Sequence, residues 1–244
     1  MPARIDARGL EVRYGDHLAL DGLDFDLDAP ASLAVIGPNG SGKSTLLGAV
    51  AGLTSPSAGT VSASSAPALV LQSTDVERSL PITVRDTVAL ARYPRLGLLR
   101  RFGTVDRAAI ETALERLDVA DLASRQLHEL SGGQRQRVFV AQGLAQEAEI
   151  LLLDEPLTGL DVVSRDVILE VMDEERDAGR IVVSTTHNLD DARRCDRVLL
   201  LATAPIAYGT PDEVLTDDHL RQAFGGRFLR LGDQVLLDDP HHHH

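Results

Sequence analysis

The 244-residue chain holds a single cysteine, a single lysine and no apolar run approaching the ~20 residues that a membrane-spanning helix requires. One cysteine, Cys195, excludes an internal disulfide and suits a reducing compartment, where the thiol is expected to stay buried or idle. The N-terminus lacks the charged and apolar regions of a signal peptide, so the expectation is a cytosolic protein able to dock on a membrane protein. Basic clusters are scarce as well. The formal net charge is −13, and the only notable pairs, Arg100-Arg101 and Arg193-Arg194, read as solvated faces, which argues against nucleic acid as a partner. The length, somewhat above ~100–200 residues per domain, fits one large α/β unit with an inserted subdomain and is ample for a full core. His241 to His244 read as the remains of a purification tag.

What the chain does have is a phosphate-binding loop. Gly37-Pro38-Asn39-Gly40-Ser41-Gly42-Lys43-Ser44-Thr45 satisfies G-x-x-x-x-G-K-[ST]. Ser32 to Ile36 before it is short, apolar and branched, a buried strand, and Ser44 to Val50 after it opens as a helix. Glycines let the backbone bend closely around an anion, and the first N–H groups of the helix point at it with the positive end of the helix dipole behind them. A triphosphate fits there. The sole lysine is Lys43, while arginine serves every other basic position; a compact ammonium between two phosphates does what a planar guanidinium does poorly. Which nucleotide binds does not follow from the loop alone.

Around this loop the patterning is that of an α/β protein. Alternating apolar residues from Ile5 to Leu27, with Gly15-Asp16 and Asp21-Gly22 as turns, predict an antiparallel ribbon. Ser55 to Pro67 reads as turns and loop around a short strand at Thr60-Val61, and Ala68 to Leu71 as a strand ending at Gln72. From Ser73 to Glu149 helices dominate: Asp106 is placed as the cap of a helix with Ile110, Ala113, Leu114 and Leu117 inward, and Pro94 to Gly103 as a surface connection. Buried strands follow at Ile150 to Leu153, Ile181 to Thr185 and Val198 to Leu201. Between the first two lies a helix capped by Ser164 and ended by Gly179. Apolar strands alternating with helices predict a mostly parallel sheet covered on both faces.

Two further stretches carry chemistry. The strand from Ile150 ends in adjacent carboxylates: Asp154 is placed to hold Mg²⁺ with the hydroxyl of Ser44, and Glu155 to orient or deprotonate the attacking water. Leu130-Ser131-Gly132-Gly133-Gln134 opens an amphipathic run, with Ser131 as cap and two glycines forming a second anion cradle.

Taken together, these residues resemble the nucleotide-binding subunit of ATP-binding-cassette (ABC) transporters, over essentially Ile5 to Gly226. Leu130 to Gln134 matches that family's signature motif, Tyr14 the aromatic on which adenine stacks, and Gln72 the glutamine that reaches Mg²⁺ and the lytic water. Asp161 matches the aspartate loop at the dimer seam, and His187 the switch histidine near the γ-phosphate. The resemblance implies a P-loop NTPase core with a mostly parallel sheet, an N-terminal antiparallel β subdomain and an inserted α-helical subdomain. Residues 1–240 form a single ATPase domain in this view, with 1–72 and 149–240 as the RecA-like core and 73–148 as the helical signature subdomain.

It further implies that ATP and Mg²⁺ are bound, that Lys43, Gln72, Glu155 and His187 are catalytic, and that Ser44, Gln72 and Asp154 hold the metal. Nucleotide contacts fall to Tyr14, residues Gly37 to Thr45, Ser131, Gly132, Gly133, Gln134 and Asp161. Two copies pair head to tail on ATP, on the cytoplasmic face of a membrane, beside integral membrane permease subunits and, indirectly, an extracellular or periplasmic metal-binding protein.

Within the family, Leu80 to Val88 with Arg92-Tyr93-Pro94, the block Arg125 to Gln146, and Ala207 to Pro211 with Ala223 to Gly226 resemble the zinc and manganese importers. Iron-siderophore and cobalamin importers share much of this, and a soluble ABC ATPase of translation or DNA repair is the alternative outside transport. A GTPase is excluded, since its Asn-Lys-x-Asp needs a second lysine. Thr60 to Leu71 departs from the family in being short and rich in Ser and Ala, and the chain after Phe228 to Arg230 leaves no room for an added regulatory domain.

Overall fold

The computed structural model of the chain describes residues 2–71, 81–96, 101–225, 228–231 and 234–237. β1 (Arg4–Tyr14) and β2 (His17–Asp28) pair antiparallel about a turn at Gly15-Asp16, burying Ile5, Ala7, Leu10 and Val12 against Leu20, Leu23, Phe25 and Leu27. The second expected turn is not one. Asp21-Gly22 lies inside β2, where the register steps from Leu10↔Leu23 to Val12↔Leu20 and Gly22 takes up the extra residue at φ 63°. A bulge and a turn call for the same residue types, which is why composition alone does not separate them.

β3 (Ala31–Ile36) is buried throughout and leads through the phosphate-binding loop into α1 (Lys43–Val50). β4 (Ala58–Ala63) is longer than the expected Thr60-Val61 and completes a small sheet of order β2-β1-β4. β5 (Ala68–Val70) ends two residues short of Gln72, which lies outside the described residues.

Among the described residues the α-helices that follow are α2 (Val84–Ala89), α3 (Tyr93–Leu96), α4 (Thr104–Arg116) and α5 (Gly132–Leu144). α3 replaces part of the connection expected from Pro94. Gly103, and not Asp106, is the N-cap of α4; Asp106 sits in the first turn and its carboxylate accepts the Gly103 N–H at 2.9 Å. An acid there satisfies a free amide from inside the helix, so a cap former is a guide to the start but not to the position.

The chain then alternates: β6 (Ile150–Leu153), α6 (Val162–Asp177), β7 (Ile181–Thr186), α7 (Leu189–Arg193), β8 (Arg197–Ala202), β9 (Ala204–Gly209), α8 (Pro211–Val214) and α9 (Asp217–Phe224), with a final hairpin of β10 (Phe228–Leu231) and β11 (Gln234–Leu237). Asp161, three residues before the expected Ser164, caps α6 by accepting the Ser164 N–H at 2.9 Å. Gly179 follows the end of α6 at φ 89°, as a terminator should.

The main sheet has the order β5-β6-β7-β3-β8-β9 and is parallel except for β9 against β8. Its central strands β3, β6 and β7 are buried at every position. Ile150 and Leu152 pack toward the ribbon and α1, whereas Leu151 and Leu153 pack toward the helices of residues 84–144; Leu33 and Val35 likewise face the ribbon and α1, and Ala34 and Ile36 face Leu189, Ala192, Val214 and Leu220. Two-sided burial gives continuous apolar runs, and each such Leu or Ile contributes about 1.5–3 kcal/mol.

Candidate functional site

β3, β6 and β7 end side by side, with Leu153↔Ser184 and Ile36↔Thr186 in register, so the segments that follow them share one edge of the sheet. Ligands in open α/β sheets bind at that carboxyl edge. The Gly37–Thr45 loop leaves β3 there. Gly37 is buried, and a β-carbon on it would lie 2.0 Å from the carbonyl oxygen of Leu201 and 2.5 Å from Ser41 Oγ, so only glycine fits. Gly42 caps α1 at φ 98°, where a β-carbon would come within 2.4 Å of the Ala19 carbonyl.

The loop is braced from two sides: Ser41 N–H donates to Pro38 O (3.1 Å), and Thr203 N–H donates to Ser41 O (3.0 Å). Lys43 is buried, and its ammonium donates to the carbonyls of Gly37 (2.9 Å) and Pro38 (3.2 Å), arching over the loop. Asn39, Gly40 and Ser44 face solvent, with Pro38 and Thr45 half-buried. Ser41 Oγ is buried with no hydrogen-bond partner. An orphan hydroxyl beside the N–H groups of a helix start is a cradle that a phosphate would complete.

The paired acids are set by a residue the sequence does not advertise. Thr185 of β7, fully buried, donates its hydroxyl to Asp154 Oδ1 (2.6 Å) and accepts the N–H of Glu155 (2.7 Å), so one side chain orients both. Glu155 sits in the left-handed region at φ 47°, with Thr158 Oγ1 donating to its Oε2 at 3.2 Å. Strain of this kind persists where the surroundings over-determine the backbone. Asp154 is buried, and a carboxylate with a serine hydroxyl such as that of Ser44 is the oxygen chemistry that suits Mg²⁺, which prefers one or two carboxylates plus substrate phosphates over a protein cage. No group of three or more His, Cys, Asp or Glu that could hold a metal occurs among the described residues.

His187 is exposed just beyond β7. Tyr14, 54% exposed at the end of β1, holds its hydroxyl 3.5 Å from Thr54 Oγ1, and Thr54 packs on Gly48 of α1. The aromatic ring therefore stands free beside the helix of the phosphate loop. Gln72 lies outside the described residues.

Ser131 caps α5 reciprocally: its Oγ accepts the Gln134 N–H (3.2 Å) and its N–H donates to Gln134 Oε1 (3.1 Å). Gln134 thus spends its side chain on the cap, a local duty that a nucleotide-contact reading does not foresee. Ser131 and Gly132 are exposed, while Gly133 abuts Asp161 and Ser164 of the same chain. The expected residues thus form two groups, the loop with Asp154, Glu155 and His187 at the sheet edge, and Ser131–Gly133 with Asp161 at the start of α6.

Residues 20–158, which contain the phosphate loop, the Ser131 cap and both acids, match the family described as ABC transporter. The chain belongs to that family. It is the ATP-binding ATPase subunit type, built on the P-loop α/β fold. It is similar to the Yersinia pestis chelated iron transport system membrane protein YfeB, 39% identical over 93% of this chain and 82% of that protein. It is 36% identical to the manganese transport system ATP-binding protein MntB of Listeria monocytogenes, over 91% of this chain and 96% of the relative. A solved ABC transporter of the metal-chelate type, in an inward-facing conformation, superposes with a TM-score of 0.84 at 28% identity over 96% of this chain and 95% of its own. Tyr14, Asp161 and His187 lie outside the 20–158 match. No described helix is long and apolar enough to cross a membrane.

Proposed function

We propose that two copies of this chain pair head to tail and hydrolyse ATP at the two shared sites, powering uptake of a metal ion through integral membrane permease subunits. The observation that carries the reading is the division of the site residues. The phosphate loop, Asp154, Glu155 and His187 gather at one edge, while Ser131 and Gly132 are exposed with open space before Gly132, ready to meet the nucleotide of a second copy.

Each residue then has a task. Tyr14 stacks on the adenine, and residues Gly37 to Thr45 hold the phosphates. Lys43, His187, the Ser131 hydroxyl and the N–H groups of Gly132 and Gly133 face the charge that develops on the γ-phosphate, an electrostatic clamp set in place before the reaction. Glu155 orients or deprotonates the water, and Asp161 lies at the seam between the copies. Mg²⁺, when bound, supplies positive charge to the phosphate oxygens; Ser44, Gln72 and Asp154 would hold it.

The dimer works on the cytoplasmic face, receiving cargo indirectly from an extracellular or periplasmic metal-binding protein. Manganese is the first cargo to test, supported by relatives named for manganese and chelated iron transport; zinc fits the same resemblance. Uptake into vesicles holding the whole complex, with manganese, zinc and ferric chelates compared in parallel, decides among them. Transport of a sugar or a peptide instead would overturn the metal assignment and leave the ATPase intact.

A further inference from the structure

We propose that Arg165, through Asp191, sets the position of His187 and is a positioning residue for hydrolysis; this rests on the role given to His187 above. His187 stands in the turn between β7 and α7, and α7 has five residues, too few to be stable on their own. The turn is held by its own polar groups. Asn188 N–H donates to Thr186 Oγ1 (3.0 Å), and Asn188 Oδ1 accepts the N–H groups of Asp190 (2.8 Å) and Asp191 (3.4 Å). These bonds shape the turn, and Leu189 and Ala192 seat α7 on the core beside Ala34 and Ile36 of β3.

Asp191 adds the polar tie to α6. It is buried, and Thr186 Oγ1 donates to its Oδ2 at 3.5 Å. From α6 the guanidinium of Arg165 reaches both of its oxygens, Nη1 to Oδ2 at 3.2 Å and Nη2 to Oδ1. Two parallel charge-assisted bonds fix direction as well as distance, and a lysine ammonium cannot reproduce them. Arg165 is itself fixed, because its N–H donates to Asp161 O (3.0 Å) in the first turn of α6. The His187 turn is therefore fastened to the same helix start that packs against Gly133.

A histidine that acts on charge appearing in the transition state affects kcat more than KM, and so does whatever aims it. Displacing such a group by about 1 Å can cost about 100-fold. Steady-state ATPase of the full chain is to be compared for wild type, Arg165→Lys, Asp191→Asn, His187→Ala and the double variant Arg165→Lys/His187→Ala, with melting temperature and binding of a non-hydrolysable ATP analogue alongside. The expected result is a kcat lowered about 10- to 100-fold by Arg165→Lys, KM for ATP and analogue affinity retained, and less than about twofold further loss when Arg165→Lys is added to His187→Ala.

Merely structural damage would multiply with His187→Ala and weaken nucleotide binding, which would overturn the proposal. So would a wild-type kcat in Arg165→Lys beside a crippled His187→Ala. A His187→Ala variant with unaltered kcat would instead remove the role given to His187, and this inference with it. Should Arg165→Lys melt too early to assay, Asp191→Asn, which is isosteric, carries the same comparison.

Discussion

Gly133 lies against Asp161 so closely that a β-carbon on the glycine would come within 2.6 Å of Asp161 Oδ2, and within 2.5 Å of the neighbouring Ser164 Oγ. Asp161 cannot step aside freely, since it accepts from both the N–H and the hydroxyl of Ser164, each at 2.9 Å. Those bonds hold its carboxyl below the usual carboxylate range. The resulting brace is complete at neutral pH and is lost only as pH falls through that lowered value. One contact thus joins the start of α5 to the start of α6. Gly133→Ala forces these groups apart, costing about 1–3 kcal/mol of stability and lowering ATPase activity more than nucleotide binding to the phosphate loop. Thermal melting and analogue titration check both halves of this expectation; unaltered activity would mean that the contact has slack.

Thr185→Val tests the hinge between the two acids. The substitution keeps shape but leaves Asp154 without its 2.6 Å donor and the N–H of Glu155 without its 2.7 Å acceptor. An unsatisfied buried partner costs about 1–3 kcal/mol. The expected outcome is a lower melting temperature together with a loss of kcat, because Glu155 is no longer pinned in its left-handed conformation. A change in stability without any change in turnover would assign Thr185 to the fold alone.

Much of this arrangement was legible because its physics is local. The phosphate loop announces itself through glycines at fixed offsets, and the central strands through runs such as Ile150 to Leu153, apolar at every position because both faces are covered. Errors cluster where one residue type serves two structures. Asp21-Gly22 suits a bulge as well as a turn, and Asp161 and Ser164 are both cap formers, with nothing in the spacing to say which leads. What stayed hidden is long-range. Thr185 looks like one more strand residue, and nothing local links it to the acids 30 and 31 positions before it. Arg165 and Asp191 are 26 apart.

Arg92 shows the same limit in the helical region. Its side chain is 3% exposed and bonds Asp106 Oδ1 (3.0 Å), Ala145 O (2.8 Å) and Glu147 Oε2 (2.7 Å), drawing α4 and the end of α5 together. Arg92→Met takes the guanidinium from all three acceptors, though Asp106 keeps the Gly103 N–H and Glu147 keeps Arg95. The loss should be about 3 kcal/mol, at the low end for a broken buried pair because Glu147 is half-exposed and can rehydrate. Chemical denaturation measures it directly, and a loss under about 1 kcal/mol would class the network with ordinary surface pairs.

Cys195 offers a probe that needs no substitution. Burial raises its thiol from 9.0 to about 12, so the neutral form is favoured by the fold. Its contribution to stability is complete below 9.0 and is lost as pH rises toward about 12. At pH 8 the native protein should resist a thiol reagent that reacts at once with the denatured chain, since only the thiolate attacks. Rapid labelling of the folded protein at that pH would contradict the raised value.

Glu155→Gln separates binding from chemistry. The amide oxygen can still accept from Thr158, which bonds Glu155 Oε2 at 3.2 Å, and the backbone bond to Thr185 is unaffected, so the local conformation survives. What the amide cannot do is take a proton from water, a contribution typically worth about 10²- to 10⁴-fold. ATP should therefore bind and close the pair without being consumed, and in size exclusion with saturating Mg-ATP the variant should run at twice the mass seen without nucleotide. A variant that stays monomeric at high protein concentration would count against the shared site, and one that turns over ATP at the wild-type rate would move the base to another residue.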